Sequence, residues 1–295
     1  MQDAFIRTII ANVDSFPVLP TVVTRVMQIT ANPDSSINDL MKVIEVDQSL
    51  TIAILKLANS AFFGLSREVK TLQQALSILG FSEIRNLTLT KAVFNSFKGL
   101  SGQDGFNIKR FWEHAFLCGI AAKTIISYIK EENNEFFVAG IVHDIGKLVI
   151  FKALPDDFAK IIGLSFPNRL NTFKAEKDIL GITHDEIGMK LLKRWMFPEN
   201  LIVSVGSHHN PLLKNDLSLF SFVIHVADLF AHMFDKDHGA DYDDPLYIEE
   251  YLFPYIINLC IPYGINWNES DLETVQKNLL ERKEKESGVF SLFAS

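Results

Sequence analysis

All eight histidines of this 295-residue chain lie between His114 and His238. Two of them begin a pair of metal-competent side chains: His143 precedes Asp144 in "GIVHDIGK", and His208 precedes His209 in "SHHNP". Adjacent residues on a helix or at its end project about 100° apart, close enough to converge on one ion. Imidazole with carboxylate suits iron, manganese, zinc or nickel, and none of these motifs contains a cysteine. An ion held by such a set could lower the pKa of a bound water and so supply a nucleophile near neutral pH. The same residues could instead form a buried polar network without an ion. Each would then need a partner, because an unpaired buried charge is costly.

Helices must position these residues. His143 and Asp144 interrupt the apolar run "FFVAGIVHDIGKLVIFKAL", so the element that carries them is buried. Upstream, "LPTVVTRVMQITAN" has Val22, Val23, Val26, Met27 and Ile29 near helical spacing. Ser36 and Asp39 have the spacing of a capping box, and Asp47 can cap "QSLTIAILKLANSAF". Gly80 ends "TLQQALSILGF" as a C-terminal glycine would, and Ser82 can start the next helix. Downstream, Thr183 and Glu186 repeat the capping-box spacing ahead of "DEIGMKLLKRW". No alternating strand pattern and no βαβ rhythm occurs, so the class is all-α and multi-helical. The glycine-rich stretch from 98 to 107 marks a boundary. The expected division is an N-terminal helical domain over 1–100, a second helical domain over 101–280, and a tail over 281–295.

Composition narrows the partners. A formal charge of −8 argues against unaided nucleic-acid binding, which needs clustered Lys and Arg. "MQDAFIRTII" lacks the basic region and apolar core of a signal peptide, and no run reaches 18 apolar residues without polar interruption. Cys118 and Cys260 are far apart and read as reduced, buried cysteines of a cytoplasmic protein. The acidic stretch "DKDHGADYDDP" resembles a calcium loop only loosely. Its glycine falls at the fifth position and Leu246 at the twelfth, so a solvated loop is expected.

In chain order the candidates are His114, His143–Asp144, His184, His208–His209 and Asp228. That order resembles the HD superfamily of metal-dependent phosphohydrolases, in the seven-residue form of its HD-GYP branch. "FPVLPTVVTRVMQI", "VIEVDQSLTIAILKLANSAFFG" and "TLQQALSILGFSEIRNLTL" resemble the HDOD (HD-related output domain) family of bacterial signalling proteins. So do "VAGIVHDIGKLVIF", "HDEIGMKLLKRWMFP" and "SHHNP", and the likeness covers about residues 10 to 235. The resemblance implies an HD-like second domain whose metal ligands are His114, His143, Asp144, His184, His208, His209 and Asp228. Asp144 would bridge two ions and help orient the nucleophile, and Lys147 would contact substrate phosphate. The cofactor implied is one or two divalent transition-metal ions (Fe, Mn, Zn or Ni).

HDOD proteins are regulatory, and many have lost the ligands that this sequence keeps. The expected function is therefore bacterial signal transduction, with a divalent metal in an HD-type site and a signal relayed through protein or ligand binding. The alternative is a metal-dependent phosphohydrolase or phosphodiesterase acting on a nucleotide or other phosphoester. Expected partners are a signalling protein or a phosphorylated small ligand, with neither nucleic acid nor membrane. The sequence departs from HD-GYP after His209, where "NPLLKND" replaces the glycine-rich stretch that shapes the cyclic-dinucleotide site.

Overall fold

The computed structural model describes residues 11, 16, 18–60, 68–102, 106–130, 135–168, 172–211, 218–234 and 251–294. The acidic stretch 235–245 and residues 212–216 after Pro211 lie outside them. Among the described residues the regular elements are helices and no strand occurs, so the chain is all-α.

Four helices come first: α1 (Thr21–Ala31), α2 (Ile37–Ile44), α3 (Gln48–Ala58) and α4 (Leu72–Ser96). Their starts follow the sequence. Ser36 and Asp39 close the capping box of α2: Ser36 Oγ accepts from Asp39 N–H at 3.2 Å, and Asp39 Oδ2 from Ser36 N–H at 3.0 Å. Asp47 accepts from Leu50 N–H at 2.9 Å and so starts α3. A cap of this kind contributes about 1 kcal/mol. Asn59 then ties the end of α3 to the chain leading into α4. Its amide donates to Leu55 O and Val69 O, and its Oδ1 accepts from Val69 N–H at 2.7 Å. α4 turns sharply at Gly80, where φ is +76°, and resumes at once as helix. The glycine thus ends one helical segment and kinks the element, a conformation that side-chain-bearing residues resist.

The later helices are α5 (Ile108–Tyr128), α6 (Glu135–Val142), α7 (Ile145–Ala153), α8 (Pro155–Asn168) and α9 (Thr172–Leu180). They continue with α10 (His184–Arg194), α11 (Glu199–Ser207), α12 (Ser218–Met233), α13 (Phe253–Cys260) and α14 (Glu269–Ala294). α6 is buried at every position and packs against α4, α5, α11 and α12. Phe136 at its start stacks flat on Phe220 of α12, with ring centroids 4.0 Å apart. The buried apolar side chains, from Val26 and Ile44 to Phe222 and Phe230, form one contiguous cluster.

Two backbone approaches fix where His143 and Asp144 lie. α6 crosses α5 so closely that a Cβ on Gly140 would stand 2.5 Å from Gly119 N. α7 meets the start of α10 closer still: a Cβ on Gly146 would stand 1.9 Å from His184 O. Any side chain at either glycine would force these helices apart. Among the described residues, no helix is long and apolar enough to cross a membrane.

Candidate metal centre

His143 and Asp144 occupy a two-residue break between α6 and α7. The apolar run that contains them is therefore not one continuous helix. Asp144 takes the N-cap position of α7 with φ −98° and ψ 10°, and Lys147 N–H donates to its carbonyl at 2.9 Å. The break explains how neighbouring side chains serve one site. His184 is the first residue of α10, His208 is the C-cap of α11, and His209 follows it. His114 and Asp228 come from within α5 and α12. At the start of α10, Glu186 reaches back to Thr183 N–H, and the Thr183 hydroxyl donates to Asp185. Thr183 and Glu186 thus stand as the capping box that the spacing predicts.

The structure brings all seven residues together in two abutting groups. Asp144, His184, His208 and His209 form one, His114, His143 and Asp228 the other, and within each group the donor atoms lie within 4.8 Å of one another. Asp144 Oδ1 is 3.1 Å from His184 Nε2 and 3.7 Å from His208 Nε2. His184 Nε2 is 3.0 Å from His209 Nε2 and 3.4 Å from His208 Nε2. In the second group, Asp228 Oδ1 is 3.0 Å from His114 Nε2 and 3.4 Å from His143 Nε2. Asp144 Oδ2 joins the groups, 3.4 Å from His143 Nε2.

These separations fit donors to shared ions. Nitrogens and oxygens bound at 2.0–2.1 Å stand roughly 2.8–3.4 Å apart in right-angled or tetrahedral arrangements. Orientation supports the fit. His143 Nδ1 donates to Gly140 O at 2.7 Å, and His208 Nδ1 to Val205 O at 2.8 Å. His184 Nδ1 donates to the buried carboxylate of Glu176 at 2.7 Å. With their protons held outward, these rings turn Nε2 lone pairs inward, the arrangement metal-binding histidines use. His143 Nε2 and Asp144 Oδ1 are buried and make no hydrogen bond. Lone pairs this close repel unless a cation or proton lies between them.

In the metal-free protein, protons divide unevenly over the cluster. Burial works against charge on Asp144, but His143, Lys147 and His184 hold its carboxyl well below the usual carboxylate range. Asp228 is likewise buried, yet held low by His232, His114 and His143. Burial opposes a charged His184, but Glu176 and Asp144 raise its pKa to about 9. His143 moves the same way, against burial, because Asp144 lies beside it. Burial and the neighbouring imidazoles keep His208 and His209 neutral.

Lys147 does not point away into solvent. Its Nζ donates to Asp144 Oδ2, and its side chain is 19% exposed, so it stands at the rim of the cluster. Three neighbours escaped sequence reasoning. Glu176, eight residues before His184, has no local signal and acts only through the fold. His232 lies 3.4 Å from Asp228 Oδ1, and its i,i+4 spacing could have found it. His225 donates from Nδ1 to His208 O at 2.7 Å.

The family model described as HDOD domain matches residues 16–211. This chain belongs to the HDOD family. A Treponema pallidum (strain Nichols) relative, named an uncharacterized protein, is 24% identical over 200 residues. The match takes in 67% of this chain and 38% of the relative, so the HDOD chain spans about two-fifths of that protein. Solved structures agree in fold. One, from Shewanella amazonensis SB2B and provisionally named a phosphohydrolase, has a TM-score of 0.75 at 24% identity over 97% of this chain and 98% of that one. An HDOD domain protein of unknown function from Geobacter sulfurreducens gives 0.72 at 22% identity, over 98% and 96%. A Marinobacter aquaeolei VT8 protein, provisionally named for signal transduction, gives 0.75 at 19% identity, over 100% of this chain and 66% of that one.

Proposed function

We infer that this HDOD chain is a signalling domain whose His/Asp centre binds divalent transition-metal ions and whose state is read by a protein or a phosphorylated ligand. The observation that carries the reading is the set of seven donors, turned inward and spaced for shared ions, in a chain of a family with regulatory members. His143, His184 and His208 would act as oriented nitrogen donors, and Asp144 as the carboxylate common to both groups. Ions held there would lower the pKa of water and neutralise charge on phosphate oxygens. Lys147 would attract an anion to the rim, and the starts of α7 and α10 favour negative charge in the same place.

That rim favours a second reading, hydrolysis of a phosphoester. The solved relative provisionally named a phosphohydrolase has the same fold. Against cyclic dinucleotides stands the chain after His209, where Asn210 and Pro211 replace the glycines that let a backbone approach a bulky substrate. The experiment compares wild type with His143→Ala by thermal melt and by phosphoester hydrolysis in excess Mn²⁺ or Fe²⁺. The signalling reading expects lowered melting temperature in the variant and no turnover of cyclic dinucleotides by either protein. Robust wild-type turnover, lost in His143→Ala at unchanged stability, would make the chain a working phosphodiesterase.

A further inference from the structure

Glu135 begins α6 and is buried, at the opposite end of that helix from the metal ligands. One of its carboxylate oxygens accepts from the Arg85 guanidinium of α4, and the other from the side-chain amide of Asn200 at the start of α11. From Glu135 to His143 is eight residues, and from Asn200 to His208 is also eight. At the rise of an α-helix each span is about 12 Å. The far ends meet again, with the His143 and His208 rings 5.3 Å apart between centroids. α6 and α11 therefore run side by side from one carboxylate to one set of ligands. Two helix starts at that carboxylate also favour its negative charge.

The third member comes from elsewhere. Arg85 belongs to α4, which supplies none of the seven donors. The face of α4 near it is not built for stability alone. Both amide atoms of Asn86, Oγ1 of Thr90 and Nε of Arg85 are buried with no hydrogen-bond partner. Apolar side chains in such positions commonly stabilise a fold at least as well as a buried ion pair does. We propose that Arg85, Glu135 and Asn200 form a clamp that positions His143–Asp144 and His208–His209 together, so that metal affinity depends on where α4 lies. The clamp residues are positioning residues, since none of them touches the ion site. The proposal gives the signalling reading a lever: whatever shifts α4 alters the ligand geometry, and by reciprocity metal binding biases α4.

The proposal rests on the metal reading, and its test separates the two. The full chain is titrated with Mn²⁺ as wild type, Glu135→Gln, Arg85→Met and Arg85→Lys, reading dissociation constant and stoichiometry. Melts of the metal-free proteins run in parallel. Glu135→Gln keeps the shape and removes the charge. It weakens Mn²⁺ binding about tenfold, the low end of what loss of a supporting partner costs. Arg85→Met follows closely, and Arg85→Lys, which keeps charge without the fork geometry, recovers part of the affinity. Should Glu135→Gln fail to fold, the two Arg85 variants carry the comparison. Lower melting temperatures with unchanged dissociation constants mean a merely structural ion pair and overturn the clamp alone. A wild type that takes up no Mn²⁺ overturns the metal reading and the clamp with it.

Discussion

In the group of Asp144, His184, His208 and His209, every donor sits at or just beyond a helix end. In the group of His114, His143 and Asp228, two of the three donors sit inside long helices. The difference extends to their support. His184 has Glu176 behind it, His208 has Val205 O, and the His208 carbonyl is itself held by His225. In the other group His143 is anchored by Gly140 O, while His114 Nδ1 is buried without a hydrogen-bond partner. Helix ends can aim a side chain along directions the helix body cannot, and outer hydrogen bonds hold it there. The first group is thus the more pre-organised, and we expect it to hold its ion more tightly.

Asp144→Asn should have the largest effect, because that carboxylate serves both groups. Elemental analysis should find both ions lost. The metal-free protein should also melt earlier, having lost about 3–5 kcal/mol of stability, since His143 and Lys147 lose their common partner inside the fold. Retention of one full equivalent of metal would show that Asp144 belongs to a single ion.

Next, His184→Ala should remove the ion of the first group and leave that of the second. Stoichiometry falls from two to one, and a fall to zero would mean that the groups bind as one unit. Glu176→Gln keeps the ligand but weakens its orientation. It should lower affinity for the tighter ion about 10- to 100-fold, as isothermal titration with Mn²⁺ would read. Equal weakening of both ions would erase the comparison.

The pH dependence has a definite sign. The folded-state pKa of His184 lies at about 9, above its ordinary 6.5. The stabilisation of the metal-free protein that this proton provides is complete below pH 6.5 and is lost as pH rises through 9. An incoming ion must displace the same proton, so metal affinity should rise over that window while metal-free stability falls. Titrations at pH 6.5 and pH 9 check both halves. The smallest effect belongs to His232→Ala. His232 is 26% exposed and lies 3.4 Å from the oxygen of Asp228 that already has two other imidazoles, so the looser ion should weaken by little more than measurement error.

The sequence carried more of the chemistry than of its support. Ser36, Asp47 and the apolar helix faces announce themselves, because caps and periodicity are local properties. The types and order of the seven donors were legible for the same reason. The break at His143–Asp144 was not, since the apolar pattern runs on unchanged from Val142 into Ile145. Nor were Glu176 and the Arg85–Glu135–Asn200 clamp, whose partners lie 8 to 65 residues apart in the chain and meet only through packing. Nor does any local signal mark Gly119, Gly140, Gly146 and Gly188 as points of contact. Their reason is the close approach of two helix pairs, which no single segment reveals.

The most direct test of the account is the metal content of the full chain, purified without a metal-affinity step and then equilibrated with Mn²⁺. The account predicts two ions per chain, bound in two steps of different affinity, with the weaker step abolished by His114→Ala and the stronger by His184→Ala. A chain that holds no metal, with wild type and both variants equally empty, would contradict it and leave the histidine cluster a protonated polar core.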